Sequence, residues 1–85
     1  MAELLKVQKI AVGDIYVPAK RRTTLDRKKV DEIAESMLAS GQTTPIMVRA
    51  DGKRFVLVEG LHRLEACKAL GETTIAGILV QARQG

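Results

Sequence analysis

Apolar residues recur along this chain with two different periods, and the changes of period mark its elements. From Leu5 to Lys9 apolar and polar positions alternate, which predicts a first strand over Leu4–Ile10. Ala11-Val12-Gly13-Asp14 reads as a turn, Ile15-Tyr16-Val17-Pro18 as a short extended piece ended by proline, and Ala19–Thr24 as a basic polar loop. The period then becomes helical. Val30, Ile33, Ala34, Met37 and Leu38 form one apolar stripe, predicting a helix from about Arg27 to Ser40. Asp26 suits the N-cap, Leu25 and Val30 have the spacing of a hydrophobic staple, and Gly41 can take the left-handed conformation that stops the helix.

The second half repeats the change of period. Ile46–Arg49 and Arg54–Val58 flank Asp51-Gly52, a strong hairpin signal. Val56 to Val58 is apolar at every position, so this strand is expected to be central and covered on both faces. The stripe of the first helix is expected to pack on the sheet that carries Val56 and Val58, or their opposite-face neighbours Phe55 and Leu57. At Glu59-Gly60 strand gives way to helix, with Leu64, Cys67 and Leu70 at spacing three and Gly71 closing it. A last strand is predicted over Thr74–Val80. The order β, α, β-hairpin, α, β defines a small α+β domain over residues 1–85, with a mixed sheet and two main helices.

Composition narrows the chemistry. With 46% hydrophobic and 28% charged residues, the 85-residue chain has a globular profile. Tyr16 and Phe55 are the only aromatics, too few for a base-stacking platform. One cysteine, Cys67, excludes an intrachain disulfide, and with one histidine, His62, it leaves a zinc site short of ligands. No apolar run approaches the roughly 20 residues that span a bilayer, and Met1–Val7 has no signal-peptide core, so the cytoplasm is the expected compartment. A net charge of +4 favours anionic partners, or describes a solvated basic surface.

The strand-Gly-helix step at Val58-Glu59-Gly60-Leu61-His62-Arg63 carries the most chemistry. First-turn amides of a helix lack intrahelical acceptors, the helix dipole adds positive potential, and Gly60 lets an anion approach the backbone. His62 and Arg63 place cationic side chains at that same end, an arrangement a bound phosphate would relieve. The alternative is a surface pair of Arg63 with Glu59 or Glu65 and a half-buried His62. Arg21 and Arg22 precede the other helix start, where Lys28 and Lys29 add charge. The residues alone do not say whether the two helix starts meet.

The ordered set of basic loop, Leu25-Asp26 helix start, Gly41-Gln42-Thr43-Thr44-Pro45-Ile46 and Gly60-Leu61-His62-Arg63 resembles the N-terminal domain shared by ParB partition proteins and sulfiredoxins, from about Ile10 to Val80. The resemblance implies a nucleotide, ATP or CTP, whose phosphates sit at the Gly60 turn. It implies phosphate contact by His62 and Arg63, since sulfiredoxins carry Gly-Cys-His-Arg there. Arg22 or Arg21 matches the basic residue before the first helix, Lys29 a sulfiredoxin lysine, and Thr44-Pro45 the polar-Pro step near the nucleotide. Two departures matter. Leu61 occupies the place of the sulfiredoxin nucleophile, and Cys67 lies nearly two helical turns away, so sulfinic acid repair is not expected. ParB proteins also read DNA through a downstream helix-turn-helix domain, which is not expected within residues 1–85.

The expected function is therefore a nucleotide- or phosphate-binding domain using Gly60, His62, Arg63, Arg21, Arg22, Lys29 and Thr44. A magnesium ion could accompany the nucleotide, held mainly by its phosphates. The alternatives are a weak nucleotide hydrolase or phosphotransferase with Glu59 as base, and non-specific DNA binding through the basic surface. The residues leave open whether the domain is an enzyme, which nucleotide it prefers, and its oligomeric state.

Overall fold

The computed structural model describes residues 6–41 and 44–80. Five strands form one mixed sheet in the order β1-β5-β3-β4-β2. They are β1 (Val7–Ala11), β2 (Ile15–Tyr16), β3 (Ile46–Asp51), β4 (Arg54–Glu59) and β5 (Thr74–Val80). Three helices accompany them: α1 (Ala19–Arg22), α2 (Arg27–Ser40) and α3 (Leu61–Ala69). A 3₁₀ turn at Val12–Asp14 occupies the predicted turn after β1. Leu4 and Leu5, placed in the first strand by their alternation, lie outside the described residues.

The hairpin is β3 with β4, antiparallel, and Gly52 in its turn has φ 62°. β3 also pairs in parallel with β5, so β3 is the middle strand. β4 lies between β3 and the two-residue β2, one place off the centre it was expected to hold. Val56 and Leu57, on its opposite faces, are nonetheless both buried. Leu57 belongs to the core beneath the helices, with Ile10, Ile46, Val48 and Ile75 from the sheet and Leu61, Leu64 and Cys67 from α3. Val56 is flanked in register by Arg49 and Tyr16. The Arg54 guanidinium stacks 4.3 Å from the Tyr16 ring centre on that face.

α2 begins and ends as its residues dictate. The Asp26 side chain accepts the Lys28 amide at 3.0 Å, and Gly41, at φ 78°, donates its amide to the Met37 carbonyl. Its packing corrects the expectation. α2 docks chiefly on α3, and α3 is the helix whose buried face meets the sheet. Val30 is fully buried and Met37 packs against the core, but Leu38 is 74% exposed and leaves the stripe. A helix that lies on another helix needs a narrower apolar contact than one lying on a sheet, and Leu38 falls beyond its edge.

The segment read as a basic loop contains one helical turn, α1. Pro18 at its N-cap (φ −59°) presets the entry, and the hydroxyls of Thr23 and Thr24 donate to the Lys20 and Arg21 carbonyls at 2.7 Å each.

Candidate functional site

The site is built where β4 runs into α3. The register of the hairpin slips there: Val48 faces Leu57, but Met47 faces Glu59, so Val58 is an inserted, bulged residue. Gly60 follows at φ 112°, a left-handed conformation that an L side chain adopts only under strain. A Cβ at Gly60 would stand 2.6 Å from Ile46 Cγ2 and 2.9 Å from Ile46 Cβ, so the turn presses directly on the neighbouring strand. Leu64 N–H donates to the Gly60 carbonyl at 2.9 Å and closes the first turn of α3. The amides of Leu61, His62 and Arg63 precede that bond, and Gly60 brings no side chain to cap them.

His62 joins the two helix starts. Its Nε2 accepts the backbone N–H of Asp26, the N-cap of α2, at 3.0 Å. The tether holds the start of α2 against the start of α3, the convergence that the residues alone did not show.

Between them opens a cavity of about 420 Å³. Arg21, Thr24 and Lys29 border it from the α1–α2 side, and Glu59, Gly60, His62 and Arg63 from the α3 side. Ile33 and Leu61 supply apolar wall. Three cationic side chains thus meet one carboxylate around the first amides of a helix. None of Arg21, Lys29, Arg63 and Glu59 makes an ion pair among the described residues, whose two salt bridges are Arg54–Asp51 and Lys68–Glu65. The arrangement suits an anion with several oxygens, since it offers both backbone donors and unpaired guanidinium groups.

Of the residues singled out in sequence, Gly60, His62, Arg63, Arg21, Lys29 and Glu59 border this cavity. Arg22 does not: it lines a separate cavity that shares only Leu61 with this one. Consecutive residues in one helical turn project about 100° apart, which separates Arg21 from its neighbour. Thr44 is exposed and outside the described lining. Thr24 and Ile33 were not anticipated. Ile33 belongs to the α2 stripe, whose spacing marks it only as core, and Thr24 carries no periodic signal.

Cys67 lies on α3 one turn beyond Arg63 and is fully enclosed. Burial, and then the carboxylate of Glu72, push its thiol above the usual range, against a smaller opposing pull from Arg63. It is a protonated core group. Among the described residues no cluster of three or more His, Cys, Asp or Glu could hold a metal ion. Glu59 is the one carboxylate that borders the cavity. No described helix is long and apolar enough to cross a membrane.

These features define a ParB/sulfiredoxin-like domain, and comparison with known proteins agrees. The ParB N-terminal domain model matches residues 2–85, so the chain belongs to that family. It is 36% identical over 58 residues to the chromosome-partitioning protein ParB of Myxococcus xanthus, a match covering 68% of this chain and 20% of the relative. The chain thus spans about a fifth of the length of the curated relatives it matches. Sulfiredoxin from Arabidopsis thaliana superposes with a TM-score of 0.81 at 27% identity, covering 91% of this chain and 86% of that one. The C-terminally truncated ParB of Caulobacter crescentus, complexed with CTP-gamma-S, gives 0.79 at 18% identity, covering 93% and 46%. A free serine kinase in complex with AMP gives 0.78 at 18% identity, covering 92% and 32%.

Proposed function

We propose that this domain binds the phosphates of a nucleotide, of the ATP or CTP type, in the cavity between the starts of α2 and α3. The observation that carries the reading is the convergence of Arg21, Lys29 and Arg63 on the uncapped amides that follow Gly60. Arg63 supplies a two-point grip, Arg21 and Lys29 close the opposite side, and Ile33 offers an apolar surface to the rest of the ligand. His62 acts by holding the two helix starts together. Structural neighbours whose structures hold CTP-gamma-S, AMP or ADP support a nucleotide over free phosphate.

The test is a titration with ATP, CTP, GTP, pyrophosphate and short duplex DNA, with and without magnesium, followed by amide chemical shifts. Nucleotide and pyrophosphate should perturb Gly60–Arg63 and saturate. A charged hydrogen bond contributes about 1.5–3 kcal/mol, so Arg63→Ala should weaken binding roughly 10- to 100-fold. Arg63→Lys should recover part of it, and Arg21→Ala should weaken binding where Arg22→Ala does not. Shifts spread evenly over all Lys and Arg, and lost in moderate salt, would defeat the reading in favour of non-specific attraction of DNA and other polyanions.

A second reading, a weak nucleotide hydrolase or phosphotransferase, rests on Glu59 at the same cavity. If it holds, slow nucleotide turnover should accompany binding, and Glu59→Gln should abolish turnover while leaving affinity intact.

A further inference from the structure

The two edges of the sheet differ. β2 closes one with two residues. β1 closes the other with five, paired to β5 in an unbroken register and, among the described residues, to nothing on its outer side. The Val12 amide donates to the Thr73 carbonyl at 2.9 Å, one step beyond the Ala11–Thr74 pair. Hydrogen-bonded and open pairs alternate along an antiparallel ladder, so Gln8 and Ile10 direct their amides to β5. Val7, Lys9 and Ala11 therefore direct their amides and carbonyls outward, a template for a further strand. Ile10 lies in the core beneath the helices, which puts Val7 and Lys9 on the opposite sheet face. There Val7, 58% exposed, stands in one row with Ile78 and Met47. Lys9 and the adjoining Lys6 are exposed, and neither makes a salt bridge among the described residues. β5 carries no charged residue, so the lysines have no carboxylate beside them in the sheet.

We propose that β1 takes up an extended acidic segment of another protein as an added edge strand. A second copy of this chain fits poorly. The antiparallel register that pairs all five residues of β1 with a copy sets Lys9 directly against its counterpart, and like charges so placed repel. An antiparallel acidic segment meets the same edge with opposite charge. It sets one acidic side chain opposite Lys9, an apolar one opposite Val7 and a second acidic one opposite Lys6, in the order acidic, any, apolar, acidic. Main-chain bonds to Val7, Lys9 and Ala11 hold the segment, and the two carboxylates select it. No residue of β1 borders the nucleotide cavity, so this interface stands without the nucleotide reading.

The experiment follows amide shifts and amide exchange of the whole 85-residue chain with four separate probes. The first is the capped peptide acetyl-Thr-Thr-Glu-Thr-Val-Glu-Thr-amide. The second replaces both glutamates by lysine. The third carries N-methyl groups on the first glutamate and the valine, the amides that would donate to β1. The fourth is short duplex DNA. The acidic peptide should give saturable shifts along β1 and slow the exchange of the Val7, Lys9 and Ala11 amides. Those of Gln8 and Ile10, already bonded to β5, should change least. The lysine peptide should bind roughly tenfold or more weakly, and the N-methylated peptide should lose the protection. Lys6→Glu combined with Lys9→Glu, both at exposed positions, should reverse the preference between acidic and basic peptides, with an unchanged melting temperature as the folding control. The proposal is overturned if the acidic and basic peptides bind alike, or if the N-methylated peptide binds as tightly as its parent. It is also overturned if duplex DNA protects the same amides equally, if the chain pairs with itself through β1, or if no saturable shifts arise there.

Discussion

The turn between β4 and α3 depends on a single glycine. Gly60 combines a positive φ with a contact in which any Cβ would overlap Ile46 on the central strand. Gly60→Ala should therefore destabilise through both backbone strain and overpacking, by about 2–4 kcal/mol together. Chemical denaturation would show it as a lower midpoint at unchanged slope. His62 acts more locally. His62→Ala removes the acceptor of the Asp26 amide and should cost about 1 kcal/mol, moving the Asp26 amide resonance more than any in β1.

Cys67 gives a residue-scale prediction with a definite sign. Its raised folded pKa means that the folded chain holds the thiol proton more tightly than the unfolded chain. The contribution is whole below the unfolded thiol value, about 8.5, and is lost as pH rises through the folded value. Melting temperatures taken from pH 8 to 10 should fall more steeply for the parent than for Cys67→Ala, even though the variant starts less stable. Iodoacetamide should label Cys67 slowly in the folded protein.

Among the elements, α2 separates what a pattern predicts from what packing uses. Its limits, its Asp26 cap and its Gly41 terminus were legible because each is a local matter: one side chain reaching an amide two residues on, one residue free to take positive φ. Which part of the stripe is buried was not legible, since that depends on whether the helix rests on a sheet or on α3. Val30→Ala should cost about 2 kcal/mol, two methyl groups plus the space they leave. Leu38→Ser, on an exposed side chain, should stay within about 0.5 kcal/mol. Thermal melts of the two variants would reverse in order if the whole stripe were core. Asp26→Ala should cost about 1 kcal/mol through the cap while sparing the bond to His62, which uses the main-chain amide.

Across the whole molecule, the sheet order sets the hierarchy of opening. β3 is paired on both sides, whereas β2 holds β4 through two residues. Native-state hydrogen exchange should be slowest at Val48 and its partners and fastest at the ends of β1 and in β2. Uniform exchange across the five strands would contradict this order.

The residues by themselves determined the strands, the two longer helices and the turn at Gly60, but not the single turn α1, because alternation, helical spacing, capping and glycine geometry act over a few neighbours. They also identified Arg63, Arg22, Arg21 and Lys29 as cations placed near helix starts. Tertiary structure alone decided that the two starts share one cavity, joined by His62 and Asp26, residues 36 positions apart. It alone separated Arg21 from Arg22, placing adjacent arginines at two different cavities. The physical reason is common to both. A side chain's direction follows from the turn that carries it, and its company from which elements pack together, and neither is written in the spacing of residues along the chain.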